Sequence, residues 1–275
     1  MSKIWFITGA NRGFGRIWTE AALARGDKVV ATSRRPDALQ DLVENYGDAI
    51  LPLELDVTDR NRAIATVVEA LDAFGRLDVV VNNAGYGLFG AVEEVSDKQV
   101  RDQMEVNFFG VLNVTQAVLP QFRKQGSGHL IQVTSMGGVM AFPNLGGYHA
   151  SKWAVEGLTE SLVQEVSKFG IKVTLVEPGG YETDWAGASA VHAAPLPQYD
   201  FIRQDMMAMA ERMPANFVGN PAATGPAILK LVDAPEPPLR LLLGVAPTLM
   251  IGDIYAKRLQ TWKDWEHVTI AATGK

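Results

Sequence analysis

The stretch IWFITGANRGFG, residues 4–15, runs from four apolar residues into a turn with glycines at Gly9, Gly13 and Gly15, and then into an amphipathic segment. An apolar strand, a glycine turn and a helix in direct succession open a βαβ unit. The glycines let backbone amides approach an anion at the helix N-terminus. A dinucleotide pyrophosphate suits such a turn, with Asn11, Arg12 and Phe14 between the glycines. A tight turn with no ligand uses the same residues, so the rest of the chain must decide.

Outward from this turn, short apolar runs recur at residues 4–7, 28–32, 49–55, 79–82, 129–134, 172–177 and 239–243. Amphipathic stretches at 16–25, 60–74, 97–124, 148–168 and 221–232 separate them. Strands buried on both faces read as continuous apolar runs, and crossover helices fill the intervals. The pattern predicts an α/β fold: a doubly wound, mostly parallel seven-stranded sheet of Rossmann type with helices on both faces, in a single domain of residues 1–275. Residues 179–220 read as one long irregular stretch, too long for an ordinary connection, and are expected to form a lid over a binding site, with Gly180 and Gly187 as hinges. The tail from Thr269 reads as frayed.

Composition narrows the class. The chain has 275 residues, 47% of them hydrophobic, enough for one large core without staples. There is no cysteine, so disulfides, thiolate metal sites and a cysteine nucleophile are excluded, in keeping with a cytoplasmic location. His129, His149, His192 and His267 show no metal-ligand spacing, and no metal is expected. The N-terminus lacks the apolar length of a signal peptide. The apolar run 241–250 is broken by Gly244 and Pro247 and is half a membrane span. A net charge of -6 with one small basic pair argues against a nucleic-acid track.

That basic pair is informative. An adenosine ribose on this turn would reach the end of the second strand, where an acid selects NAD and an arginine accepts a 2'-phosphate. The sequence there is TSRR: Ser33 stands where the acid is expected, Arg34 and Arg35 follow, and Arg12 faces the same region with no competing carboxylate in view. The spacing favours NADP(H). Asp56, with Val57 after the third strand, is either an acceptor for the adenine amino group or a cap for the following helix.

Farther along, YHASK begins a helix and sets Tyr148 and Lys152 four residues apart on one face. A phenol of pKa about 10 is a poor proton donor near neutrality unless its anion is stabilised. An ammonium about 5 Å away, at an effective dielectric near 20, contributes about 3 kcal/mol and lowers that pKa by roughly 2 units. Alone, a Tyr with Lys at i+4 is usually a surface coincidence, and Ser135 alone reads equally well as a turn cap.

Taken together, TGANRGFG, the Asp56 position, NNAG at 82–85, Asn107, Ser135 thirteen residues before Tyr148, Lys152, and the pair Pro178 and Gly179 followed by Thr183 resemble the short-chain dehydrogenase/reductase family over residues 4–183. The resemblance implies that Ser135 polarises a substrate carbonyl, Tyr148 transfers the proton, Lys152 holds the nicotinamide ribose and tunes Tyr148, and Asn107 holds a relay water. It implies that Asn83, Ala84 and Gly85 line the cofactor through their backbone, and that Pro178, Gly179 and Thr183 seat the carboxamide. It also implies a homo-oligomer, dimer or tetramer, built through the Tyr148-bearing helix and its neighbour. PGGYET departs from the pattern by the extra Gly180.

The reading that follows is an NADP(H)-dependent enzyme interconverting a small-molecule ketone and a secondary alcohol. An epimerase or dehydratase of related fold needs a larger C-terminal domain than the chain after Gly179 supplies, an enoyl reductase spaces its tyrosine and lysine more widely, and a non-catalytic NADPH sensor has no use for an intact Ser135, Tyr148 and Lys152. The residues expected around the substrate are Met136, Val139, Met140 and Phe142, Tyr86 and Phe89, and Trp185, Tyr199 and Phe201 from the lid. They are apolar, which predicts a bulky, uncharged ketone. Met206, Met207, Met209 and Met213 read as a packing stripe, and Trp262 and Trp265 as anchors of the tail to the core or to a second subunit.

Overall fold

Because residues 4–7 of the first strand are apolar, it can be covered on both sides, and it lies inside the sheet. The computed structural model describes residues 2–274. In chain order the elements are β1 (Ile4–Thr8), α1 (Gly13–Ala24), β2 (Lys28–Ser33), α2 (Gln40–Tyr46), β3 (Ile50–Glu54), α3 (Arg60–Phe74), β4 (Val79–Asn82), β5 (Leu88–Phe89), α4 (Asp97–Met104), α5 (Gly110–Gln125), β6 (Gly128–Val133), α6 (Gly146–Val166), β7 (Ile171–Pro178), β8 (Val191–His192), α7 (Asp200–Arg212), α8 (Thr224–Asp233), β9 (Arg240–Leu243), α9 (Val245–Asp264) and α10 (Glu266–Ala271). Seven strands form one parallel sheet in the order β3-β2-β1-β4-β6-β7-β9. All seven coincide with the apolar runs to within a residue or two.

Alternation divides the core into two layers. Trp5, Ile7, Val29, Ala31, Val79 and Val81 face one side with Trp18 of α1, Leu42 of α2 and Ile228 of α8. Phe6, Val30, Val80, Leu130 and Val173 face the other, with Val67 of α3, Val114 and Phe122 of α5 and Leu162 of α6. Strand order reverses between β1 and β4, which opens a crevice at the carboxyl ends of the strands, where ligands of such sheets bind.

Four expectations change. Residues 179–220 are not irregular throughout: they hold α7 and the short strand β8, which pairs with β5. The Met stripe there is not core packing, since Met207 and Met209 are exposed. The predicted helix at 97–124 is interrupted by a π turn at Glu105–Phe109. The C-terminal part is helical, not frayed, through α10, and Trp262 and Trp265 are 67% and 61% exposed, so they do not anchor the tail to this chain's core. Lys275 lies outside the described residues. Among those residues no helix is long and apolar enough to cross a membrane.

Candidate active site

Strand β1 delivers the glycine turn to the crevice. Gly9 and Gly13 have φ of +65° and +54°, which side chains resist, and a Cβ on Gly15 would stand 2.3 Å from the Gly9 carbonyl oxygen. Arg12, at the N-cap of α1, is extended and its side chain caps no amide, and the first turn carries no acid. The helix therefore opens with free N–H donors and an uncompensated positive dipole end, which fits a pyrophosphate. Asn83 braces the turn from β4: its Nδ2 donates to the carbonyls of Thr8 and Gly9 at 2.9 and 3.2 Å, while the amides of Asn83 and Ala84 donate to Thr8 Oγ1. Those two amides are thus occupied within the protein. Phe14 turns its ring inward, stacked on Trp18 and edge-on to Tyr181 at 5.1 Å, so only its backbone serves the turn.

Beside the turn, Asn11, Arg12, Arg34 and Arg35 line a cavity of about 390 Å³. Ser33 is buried at the end of β2 and accepts from the Arg35 amide at 3.1 Å, which aims both arginines away from the sheet. The expectation of no competing carboxylate is corrected: Asp184 of the lid stands 3.8 Å from Arg12. Sequence could not reveal a contact across so long a separation. Asp56 turns out not to cap a helix. Asp59 caps α3, whereas Asp56 Oδ1 accepts from the Thr58 amide and hydroxyl. Val57 packs on Gly110, and its carbonyl accepts from Asn113.

The other half of the site is built on α6 and the end of β6. Tyr148 and Lys152 share the helix face turned into the protein and are both buried. Lys152 Nζ donates to the Val133 carbonyl at 2.9 Å and sits 5.8 Å from the Tyr148 ring. Ser135 follows β6. Its Oγ accepts from the Gly137 amide at 3.0 Å and lies 3.4 Å from the Pro178 carbonyl, so it both caps its turn and faces Tyr148. Asn107, fully buried in the π turn, clamps the backbone of Tyr86 from both sides and donates to Ser151 Oγ at 3.1 Å. A Cβ on Gly85 would lie 3.0 Å from Asn107 Oδ1 and 3.6 Å from Lys152 Nζ, which locates these three together. His149 points elsewhere, as its helix position implies, and straps Gly137 and Phe142.

Electrostatics departs from the sequence expectation. Burial pushes the Tyr148 phenol up to about 12, against the pull of Ser135, and the expected lowering by Lys152 does not prevail. Burial also pushes Lys152 down to about 8, with Glu156 opposing. Desolvation by burial dominates both shifts.

Over the pair lies the lid. Trp185 packs edge-on to Tyr148 at 4.9 Å and against Phe89 at 5.3 Å. Thr183 Oγ1 lies 3.4 Å from the Trp185 amide, and Gly179 is wedged against Pro247. Tyr199 and Phe201 do not reach the site: the Tyr199 hydroxyl donates to Glu93, and Phe201 is 58% exposed. Met136, Met140 and Phe142 pack instead with Phe217, Met250, Ile251 and Ile254. Helix α9 thus supplies a wall the sequence reading missed. Its spacing of apolar residues was the available signal. Arg258 fastens α9 by donating to the Val139 carbonyl at 3.0 Å, between Trp153 and Tyr255.

Residues 3–192 match the family described as short chain dehydrogenase. The chain is 41% identical over 273 residues to the oxidoreductase BOA17 of Botryotinia fuckeliana, covering 99% of this chain and all of that one. This chain belongs to the short-chain dehydrogenase/reductase family. It is a family oxidoreductase. It is also 38% identical to a 3-ketodihydrosphingosine reductase of Bacteroides thetaiotaomicron over 88% of each chain. Among solved structures, a short-chain dehydrogenase from Streptomyces avermitilis superposes with a TM-score of 0.90 at 38% identity over 98% of each chain. An alcohol dehydrogenase from Thermococcus sibiricus, complexed with 5-hydroxy-NADP, superposes with a TM-score of 0.73 at 26% identity, over 90% of this chain and 98% of that one.

Proposed function

We propose that this family oxidoreductase uses NADP(H) to interconvert a bulky, apolar ketone and its secondary alcohol, with Tyr148 as the general acid and base. The observation that carries the reading is the convergence of Ser135, Tyr148 and Lys152 on one buried wall, across the crevice from an uncapped glycine turn flanked by three arginines. The pyrophosphate would lie on Gly9 to Gly15, and the 2'-phosphate against Arg12, Arg34 and Arg35. Asp56, Val57, Asn83, Ala84 and Gly85 would border the adenosine and ribose, and Pro178, Gly179 and Thr183 the nicotinamide.

When bound, NADPH supplies the hydride. In the direction of reduction, the Ser135 and Tyr148 hydroxyls both donate to the carbonyl oxygen, where negative charge develops. Tyr148 then gives its proton to that oxygen, leaving a phenolate. The Lys152 ammonium stabilises the phenolate and donates to the ribose, and Asn107 fixes the backbone of Tyr86 at the edge of the site. In oxidation the same proton returns to Tyr148. Trp185 and the α9 wall of Met250, Ile251 and Ile254 exclude water and select for apolar bulk. The keto-lipid reductase among the relatives supports this class of substrate. A homo-oligomer through α5 and α6 agrees with the exposed Phe109, just before α5, and Trp153 on α6.

The test is kcat/KM for NADPH and NADH with a panel of ketones. A preference for NADPH of at least about tenfold is expected, and equal values for the two cofactors would overturn the cofactor assignment.

A further inference from the structure

One turn beyond Lys152 on α6 stands Glu156, and both residues are 5% exposed. Glu156 Oε2 accepts from Arg240 Nη2 at 2.8 Å. Its Oε1 has no hydrogen-bond partner and abuts Gly138, on which a Cβ would lie 3.1 Å away. Strand β7 brings a second carboxylate, Glu177, 1% exposed, whose Oε1 lies 3.2 Å from Arg240 Nε. The exposed Glu160 takes the same guanidinium at 2.9 Å. Three carboxylates thus share one arginine, and two of them are buried.

A lone guanidinium does not fully balance two buried carboxylates, and burial raises the pKa of both. Burial, with Glu156 as a like charge, pushes Glu177 up to about 7. Glu156 is raised as well by its burial, with Arg240 opposing. The groups facing Lys152 are Tyr148 and Glu156 on its own helix, the Val133 carbonyl from β6, and, across Gly85, Asn107 Oδ1 from the π turn. Facing Glu156 are Glu160 on α6, Glu177 on β7, Arg240 on β9, and the Thr134 hydroxyl and Gly138 after β6, with His149 bound to the neighbouring Gly137 carbonyl. Glu156 is therefore the one carboxylate set to offset the desolvation of the Lys152 ammonium.

We propose that Glu156, held by Arg240 and backed by Glu177, is a positioning residue that keeps Lys152 charged within the buried site. The proposal rests on the reading of Lys152 as the partner of Tyr148. Its sign is fixed: Lys152 loses its proton as pH rises, and removing the neighbouring negative charge makes that loss occur at lower pH.

The experiment compares wild type with Glu156→Gln and Glu156→Asp. The basic limb of the kcat/KM profile for NADPH-dependent reduction should move down by about one pH unit in Glu156→Gln. At about pH 9 that means a loss of about tenfold, against less than about twofold near pH 6. Glu156→Asp should restore most of the limb. In the ligand-free protein, the side-chain carbon resonance of Lys152, assigned by its disappearance in Lys152→Met, should titrate at lower pH in Glu156→Gln than in wild type. If Glu156→Gln does not fold, Glu156→Gln combined with Glu177→Gln leaves the Arg240 guanidinium balanced by Glu160 and carries the same sign. A loss equal at every pH, or an unmoved Lys152 titration, would overturn the proposal. If Tyr148→Phe keeps wild-type turnover, the catalytic reading fails instead, and the Lys152 titration still tests the electrostatic claim alone.

Discussion

In the proposed reading, Ser33 and the two arginines after it select the cofactor. Ser33, whose Oγ accepts from the Arg35 amide, puts a neutral hydroxyl where an acid would oppose a phosphate, and Asp184 stands on the Arg12 side of the cavity. Ser33→Asp with Arg34→Ala introduces a carboxylate and removes a cation. This pair is expected to lower kcat/KM for NADPH by about ten- to hundredfold and to reverse the preference towards NADH. Unchanged selectivity in the double variant would move the 2'-phosphate site elsewhere. These residues were readable because they close the second strand, where a nucleotide on the glycine turn places its ribose. Asp184 was not, since only folding brings it to Arg12. Nor could the sequence reveal that burial would outweigh the Lys152 charge at Tyr148, because desolvation depends on what covers the pair.

The helices and strands were legible in proportion to their burial. Strands β1, β2, β4, β6 and β7 are buried on both faces, and their unbroken apolar runs identify them directly. Helix α7 has no buried residue and so left no period to read, and the π turn before α5 disturbs the helix without any Pro or Gly to announce it. Two variants probe elements. Gly15→Ala drives a Cβ into the Gly9 carbonyl and Asn83 Nδ2, so the turn must open where the pyrophosphate lies. NADP+ affinity, measured by calorimetry, should fall at least about tenfold, the equivalent of about 1.4 kcal/mol, and wild-type affinity would contradict this role for the turn. In the sheet, His129 on β6 is buried against Thr174 Oγ1 of β7 at 3.0 Å, and burial lowers its pKa from 6.5 to about 4. The folded state thus binds fewer protons than the unfolded one in that window. Stability is full above pH 6.5 and is lost as pH falls towards 4. Relative to His129→Gln, the wild type should lose on the order of 3 kcal/mol over that interval in denaturant unfolding. A pH-independent difference would refute the assignment.

At the scale of the whole molecule, the proposed site draws on Trp185 of the 179–220 segment, packed on Tyr148, and on α9, packed on Met136 and Met140. The proposed substrate wall combines side chains from the middle of the chain, Met136 and Met140, with Met250 and Ile254 near its end, which is why sequence suggested its character without all its members. An apolar wall without a carboxylate or phosphate partner should favour aryl or long-chain ketones over acetone or pyruvate by at least about a hundredfold in kcat/KM. A preference for the small or anionic substrates would reject the pocket while leaving the chemistry intact. The chemistry itself has one direct test. NADPH carrying deuterium on the transferable position of its nicotinamide is incubated with such a ketone, and the alcohol is analysed for label on its carbinol carbon, for wild type and for Tyr148→Phe. Labelled alcohol from the wild type is expected, with a rate at least about a hundredfold lower in Tyr148→Phe at a cofactor affinity within a few fold. Alcohol without label, or undiminished turnover by Tyr148→Phe, would contradict the account.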